Sequence, residues 1–255
     1  LFTKLVLKTR NQSYTTTLPT IMKRTFILLF TILFSNLILS QNQEKKNELC
    51  VINMLGAKVY EKPTFKSKNL TKLSVGESII IEKQIETNES FIIGNGFALT
   101  GKWIKPKNIN GFIFSSDLTN KRVEIGISKH GQTYINLLGN LINKKEEKKL
   151  IKTENGKFPK YFEYKFYENG NYTYTSWDGC FDHITKYKNL TINEVYHQMI
   201  SDYGGLMNEN EFWIPTFQES SIGNTLKFEG EGATEDLKIE IKENGIIEVS
   251  SYDCT

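Results

Sequence analysis

Three stretches decide the fold of this chain: Glu48-Leu-Cys-Val-Ile-Asn-Met-Leu-Gly-Ala-Lys-Val-Tyr-Glu-Lys-Pro63, Gly101-Lys-Trp-Ile-Lys105 and Gly111-Phe-Ile-Phe-Ser-Ser-Asp-Leu118. Each contains short apolar runs separated by Gly, Pro or Asn, a pattern typical of small all-β barrels. Between them, the isoleucine-rich run Ser78–Ile85 predicts a further strand, because β-branched side chains fit the half-buried surface of a sheet. The sequence therefore predicts a small β barrel over residues 49–118.

The order of these motifs resembles the bacterial SH3 (SH3b) family. The matching features are Leu73-x-x-Gly76, the strand Trp103-Ile-Lys, and the run Gly111-Phe-Ile that leads to Leu118. The Asn-Val-Arg motif usual near the first strand of that family is replaced here by Ala57-Lys-Val-Tyr60. The resemblance implies a small twisted barrel used for binding, often at the bacterial cell wall, and it implies no catalysis by this domain.

Two aromatic residues of the barrel are candidates for ligand binding. Tyr60 and Trp103 could line a groove, as aromatic side chains do in SH3-like barrels. For Trp103 the sequence leaves open whether the ring lies in a groove or in the core, whereas Phe112 is expected in the core.

The chain from Met22 to Ser40 is typical of a secretory signal peptide. Lys23 and Arg24 form its positive region, and the apolar run Phe26–Leu39 is short for a membrane span. Cleavage is expected after Ser40, which leaves residues 41–48 as a polar linker. Met22 is expected to be the true start, with residues 1–21 an upstream translation. We therefore expect an exported protein, periplasmic or extracellular, with no stable membrane span after cleavage; an uncleaved anchor helix is the alternative.

The charge distribution argues against nucleic-acid binding. The formal charge of the whole chain is +3, but residues 1–40 contain five basic residues and no acidic residue. Residues 41–255 therefore sum to −2, and such a chain lacks the overall positive field that holds a phosphate backbone.

Residues 123–255 predict a β-rich α+β domain with one or two helices. Apolar residues recur at helical spacing within Thr133–Leu150, so this segment predicts a helix, with the mixed-charge run Lys144–Lys149 on a solvated face or loop. The capping box Thr191-Ile-Asn-Glu194 predicts a second helix that stops at Gly204-Gly205.

Hairpin signals dominate the rest of this half. The strands Tyr161–Tyr167 and Asn171–Thr175 are joined through Asn169-Gly170, where we expect positive φ angles. Further strands are predicted at Phe212–Phe217, Thr225–Phe228, Leu237–Ile241 and Ile246–Val249, with Asn244-Gly245 closing the last hairpin.

The three cysteines follow the signal peptide and would enter an oxidising compartment. Cys180 and Cys254 close similar phrases, Ser176-Trp-Asp-Gly-Cys and Ser251-Tyr-Asp-Cys, so neighbouring hairpins would bring them together. We predict a disulfide between Cys180 and Cys254, with Cys50 unpaired.

Two chemical alternatives use the same region. Cell-wall cysteine peptidases often carry bacterial SH3 domains, so Cys180 could be a nucleophile with His183 or His197 as base. Cys180, Asp182, His183 and His197 are also suitable metal ligands, although their spacing is not that of a zinc finger.

The hypothesis that we favour assigns no catalytic residue, metal or cofactor. It describes a secreted, non-enzymatic binding protein of the bacterial cell envelope, whose partner is a peptidoglycan peptide or an envelope protein. A cell-wall cysteine hydrolase and a structural or inhibitory module for a protein partner are the alternatives.

Overall fold

The structure is a computed structural model that describes residues 47–129, 131–153, 156–208, 211–221 and 224–254. The predictions for the leader, the signal peptide and residues 41–46 lie outside these residues. Residues 47–255 belong to one compact unit. Among the described residues, no helix has both the length and the apolar character that a membrane crossing requires.

The N-terminal part consists of short antiparallel strands, as the punctuated apolar runs predict. They are β1 (Glu48–Val51), β2 (Ala57–Tyr60), β3 (Asn69–Leu73), β4 (Ser78–Ile85), β5 (Ser90–Gly94), β6 (Phe97–Thr100), β7 (Trp103–Pro106), β8 (Phe112–Phe114) and β9 (Leu118–Thr119). Seven of them form a sheet in the order β3-β2-β8-β7-β4-β1-β9, and β5 pairs with β6 in a separate hairpin. A 3₁₀ helix, Ser115–Asp117, precedes β9.

Buried apolar and exposed polar side chains alternate along these strands, and the buried ones give the N-terminal sheet a small apolar core. Its buried members are Val51, Ala57, Val59, Ile79, Ile104, Ile113 and Leu118. In β2, for example, Ala57 and Val59 are buried while Lys58 between them is exposed. This is the period of two that a half-buried strand requires.

The C-terminal part is built on an eight-stranded antiparallel sheet. Its elements are β10 (Glu124–Ile127), β11 (Thr133–Asn136), β12 (Leu141–Thr153), β13 (Gly156–Tyr167), β14 (Gly170–Trp177), β15 (Cys180–Tyr187), α1 (Ile192–Tyr203), β16 (Gly205–Asn208), β17 (Glu211–Trp213), β18 (Thr216–Ser221), β19 (Thr225–Glu229), β20 (Thr234–Ile241) and β21 (Ile247–Cys254). The large sheet has the order β12-β13-β14-β15-β21-β20-β19-β18, and β10–β11 and β16–β17 are two-stranded pairs. The mainly β architecture is confirmed, with a single α-helix among the described residues.

The helix predicted over Thr133–Leu150 is wrong. The segment contains β11 and the first part of β12, separated by a turn at Gly139 with φ +76°. Burial does not follow a helical period, since Ile135 and Leu137, two residues apart, are buried whereas the apolar Leu141 and Ile142 are exposed. The charged run Lys144–Lys149 lies on a strand, not on a helix or loop, because it pairs with β13 along its whole length.

One turn prediction and one strand prediction also need correction. In the hairpin of β13 and β14, Tyr167 pairs with Gly170, and neither Asn169 nor Gly170 has a positive φ. The Asn169 side chain instead fixes the turn, because its Nδ2 donates to the Leu137 carbonyl at 2.8 Å. The strand predicted over residues 212–217 is interrupted at Pro215, which cannot donate to a ladder.

The capping box predicted at Thr191 is present and starts α1 as expected. The Thr191 hydroxyl accepts from the Glu194 N–H at 3.3 Å, while Glu194 Oε2 accepts from the Thr191 N–H at 2.7 Å. The helix ends at Gly204, as predicted. Two reciprocal hydrogen bonds therefore satisfy amide groups that the first turn leaves unpaired.

A stripe of buried polar side chains at helical spacing attaches α1 to its neighbours. Its members are Glu194, His197, Gln198 and Ser201. Gln198 accepts from the Leu137 N–H at 2.8 Å and donates to the Ile135 carbonyl at 2.9 Å, so a side chain completes the edge of β11. Glu194 accepts a short hydrogen bond from the Thr119 hydroxyl of β9. The helix thus contacts both parts of the chain through satisfied polar groups.

The hairpin of β5 and β6 joins the core of the C-terminal part. The Phe97 ring lies 5.6 Å from those of Tyr196 and Phe217 and 6.2 Å from that of Phe228, measured between centroids. Leu99 and Ile52 belong to the same buried cluster. Apolar packing is therefore continuous across Leu118–Arg122, where the sequence predicts a domain boundary.

Cys180 and Cys254 form a disulfide, and Cys50 is free. The two cysteines face each other directly on the neighbouring strands β15 and β21, with 4.2 Å between their Cα atoms. Cys180 begins its strand and does not end a hairpin, while Cys254 lies at the end of β21. The disulfide therefore joins the last strand of the chain to the centre of the large sheet.

Candidate functional site

A mainly apolar cleft lies between the N-terminal sheet and α1. It has a volume of about 360 Å³. Side chains of β2, the loop after it, β5 and the 3₁₀ helix line one side, and α1 with the segment 214–217 lines the other. We call this cleft the groove. Its volume is at the lower end of the range typical of small-molecule and peptide sites.

An aromatic cluster forms one wall of the groove. The Phe65 ring contacts four others, with centroid distances of 4.8 Å to Phe114, 4.9 Å to Trp103, 5.8 Å to Tyr60 and 5.9 Å to Phe91. Most of these pairs are edge-on or tilted, which is the arrangement that ring quadrupoles favour. Such a wall presents a rigid apolar surface to an occupant.

The structure separates the two residues that the sequence nominates for ligand binding. Tyr60 lines the groove and is 9% exposed, whereas Trp103 is fully buried behind it, with 5.3 Å between the ring centroids. Trp103 supports the wall from inside and does not line the groove. Phe112 is half-buried and packs against the same cluster.

Glu89 holds the buried Trp103 and the loop after β2 together. One carboxylate oxygen accepts from Trp103 Nε1 at 3.0 Å, and the other accepts from the Thr64 hydroxyl at 2.6 Å. These hydrogen bonds, the one from Thr64 above all, lower the pKa of Glu89. The ionised form of Glu89 is therefore the one that accepts both hydrogen bonds. By binding Thr64, it fixes the neighbouring Phe65 in the wall.

The other end of the groove is polar. Asp117 accepts from Asn53 Nδ2 at 3.0 Å and lies 3.5 Å from His197 Nε2. That histidine nitrogen also lies 3.1 Å from the Ser116 carbonyl, which can only accept, so Nε2 carries a proton. Burial, followed by the charge of Asp117, raises the pKa of Tyr60, whose hydroxyl therefore stays neutral. The polar end offers a carboxylate and a phenol in an otherwise apolar cleft.

The rim of the groove exposes apolar side chains. Leu55 and Phe91 are 43% and 44% exposed, and Ile92 is 74% exposed. Exposed apolar side chains grouped at the mouth of one apolar cleft are typical of a binding surface, whereas exposed apolar residues scattered singly are ordinary.

The sequence does not indicate that α1 and the segment after it contribute to a groove, and it suggests His197 only for cysteine or metal chemistry. Tyr196, His197, Ile200 and Phe217 line the groove, and each is separated from Tyr60 by well over a hundred positions of sequence. The one available signal was the capping box, which predicts the helix but not the surface against which it packs.

The residues nominated for cysteine chemistry are not assembled into one site. Cys180 is disulfide-bonded and so has no thiolate. His183 lies three residues further along the same strand, so its side chain is on the opposite face of the sheet. There His183 Nδ1 is 2.7 Å from the Tyr172 hydroxyl, and its Nε2 is 3.3 Å from an oxygen of Asp253. His197 lies in the groove, on α1.

The proposed metal ligands are not brought together either. Cys180 and Asp182 share one face of β15, while His183 is on the other face and His197 is on the helix. Within the described parts of the chain, no group of three or more His, Cys, Asp or Glu side chains is arranged to hold a metal ion.

Comparison with known proteins adds no relative. The chain matches no family model, no curated protein and no solved structure.

Proposed function

We propose that this chain is a secreted, non-enzymatic binding protein of the bacterial cell envelope, and that its groove holds a peptidoglycan peptide or a segment of an envelope protein. The observation that carries the proposal is the groove itself, an apolar cleft of about 360 Å³ with Tyr60 in its wall and an exposed apolar rim.

The chemistry of the groove suits an extended peptide. The wall around Phe65 would receive an apolar side chain, and Asp117 with the Tyr60 hydroxyl would orient a polar group at the other end. Mostly apolar walls with a few placed polar groups are what peptide-binding clefts use for affinity and for orientation, respectively.

The N-terminal sheet supports the resemblance to the bacterial SH3 family. It is a small, antiparallel sheet around a core of seven buried residues, and the family-like strands β7 and β8 are adjacent in it. In the family such a module binds ligands, so the resemblance and the groove favour the same class of function. Export remains the expectation from the signal peptide, and a disulfide suits an oxidising compartment.

A cysteine hydrolase is less well supported, because the proposed nucleophile is bonded to Cys254 and its proposed bases are elsewhere. A structural or inhibitory module for a protein partner would use the same groove. Retention on purified peptidoglycan would favour the peptidoglycan-binding form of the proposal. Capture of an envelope protein would favour a module for a protein partner.

The experiment measures retention of the purified protein on peptidoglycan and on immobilised envelope proteins. Ile92→Glu places a charge on the rim of the groove and should abolish retention. Ile127→Glu is the matched control, because Ile127 is also 74% exposed but lies on β10, away from the groove. The proposal would be contradicted if the unmodified protein were retained on neither material. It would also be contradicted if both variants lost retention to the same extent.

A further inference from the structure

The hairpin of β12 and β13 carries a net positive charge, whereas the rest of residues 41–255 carries a net negative charge. Residues 141–167 contain eight lysines and four glutamates, a formal charge of +4. Since residues 41–255 sum to −2, the remainder of that stretch carries −6. Charge is thus segregated onto one hairpin at the edge of the large sheet.

The distal part of this hairpin extends beyond the rest of the sheet. The pairing of β14 with β13 begins at Tyr161, whereas β12 and β13 continue to pair as far as Thr153 and Gly156. We call residues 148–152 and 156–161 the ribbon. Among the described residues, β14 pairs with this segment only at Tyr161. One face of the ribbon is exposed throughout, and its side chains are Lys148, Leu150, Lys152, Lys157, Pro159 and Tyr161.

The proximal part of the hairpin balances its own charge. Lys144 lies 2.9 Å from Glu163, and Lys149 lies 2.8 Å from Glu147. Hydrogen bonds from Lys145 and Lys149 lower the pKa of Glu147 to about 2, so this carboxylate stays ionised. The acidic partners are therefore concentrated at the base of the hairpin.

The ribbon, in contrast, places like charges opposite each other. Lys152 pairs with Lys157, and Lys148 lies four residues from Lys152 on the same face. Over residues 148–161 the sequence has five lysines and one acidic residue, Glu154. Like charges directly opposite on paired strands are destabilising, so a nearby anion would relieve the repulsion.

Apolar side chains lie among these lysines on the same face. Leu150 pairs with Pro159, and Lys148 pairs with Tyr161. Leu150 is 68% exposed and Tyr161 47%. A soluble polyanion uses the lysines alone, whereas a bilayer surface also receives apolar side chains at the level of its headgroups.

We propose that the ribbon docks on the surface of a bilayer that contains anionic phospholipids. Lys148, Lys152 and Lys157 contact phosphate headgroups, and Leu150 and Tyr161, on the same face, enter the interface between them. Each lysine near an anionic leaflet contributes on the order of 1 kcal/mol, or about a five-fold change in binding. This surface is separate from the groove, so the inference does not depend on what the groove binds.

The test is co-sedimentation of the full chain with vesicles of phosphatidylcholine, with and without phosphatidylglycerol. We expect sedimentation only with phosphatidylglycerol, and weaker sedimentation as salt rises, because screening reduces each contact. The pair Lys152→Gln and Lys157→Gln should weaken binding about 25-fold. Lys66→Gln with Lys68→Gln removes the same charge from an exposed loop outside the ribbon and should change binding far less.

A second pair of variants distinguishes a bilayer from a soluble polyanion. Leu150→Ser with Tyr161→Ser should weaken vesicle binding while leaving binding to inorganic polyphosphate unchanged. Thermal unfolding of every variant establishes that its fold is retained. The proposal is overturned by sedimentation that does not require phosphatidylglycerol, by equal effects of the two lysine pairs, or by vesicle binding indifferent to the serine variants.

Discussion

Removal of the disulfide is the perturbation whose effect can be worked most directly from the structure. Replacing Cys180 and Cys254 by Ser opens a loop that spans a sequence separation of 74. In the chain-entropy model, closing a loop of this size restricts the unfolded chain by about 4 kcal/mol of free energy at 25 °C.

The native state should survive this change. β21 pairs with β15 over eight residues and with β20 on its other side, so the strand stays held after the covalent link is removed. The loss should therefore arise mainly in the unfolded state, which becomes more expanded. We expect the free energy of unfolding to fall by about 4 kcal/mol and the urea m-value to rise.

Equilibrium urea unfolding of the unmodified and the doubly substituted protein measures both quantities. Cys50→Ser is the control, because Cys50 is free and half-buried and closes no loop. Its thiol should react slowly with alkylating agents at neutral pH, since burial raises its pKa. An unchanged free energy of unfolding in the double variant, or a disulfide to Cys50 in non-reducing peptide maps, would refute the reasoning.

Three further substitutions test how α1 and the large sheet are held. Thr191→Ala removes the capping box and should lower the free energy of unfolding by about 1 kcal/mol; an unchanged thermal midpoint would contradict it. Gln198→Leu removes the acceptor of the Leu137 N–H and one donor to the Ile135 carbonyl, so urea unfolding should show a loss of about 2 kcal/mol, and a neutral effect would argue against the buried contact. Gly170→Ala places a Cβ 2.1 Å from the Lys186 carbonyl oxygen, so thermal unfolding should reveal a loss of about 1–3 kcal/mol; full stability would show that the strands are further apart.

Local signals in the sequence were sufficient wherever a few neighbouring residues determine the structure. The capping box at Thr191 specifies the start of α1 through its own hydrogen bonds, and the isoleucine run gives β4 with its observed bounds. The helix predicted over residues 133–150 is wrong for the opposite reason. Its charged residues have no strong local preference for a strand, and pairing with β13 determines their conformation.

The groove could be anticipated only in part. The sequence indicates Tyr60 as a ligand-binding residue because an aromatic side chain on a barrel strand can line a binding cleft. Burial of Trp103 follows from contacts with Phe65 and Glu89, which single-sequence patterns do not specify. The contribution of α1 depends on packing between distant segments, and sequence spacing carries no information on which helix face meets which strand.

Site-specific photo-cross-linking in the intact envelope tests the central claim most directly. A photoreactive amino acid at position 92, on the rim of the groove, should form adducts with peptidoglycan fragments or with a defined envelope protein. The same residue at position 127, equally exposed on β10, should form few. Adducts at position 92 and not at 127 are the predicted result; adducts at both positions in equal yield, or at neither, would contradict the proposal that the groove is the binding site.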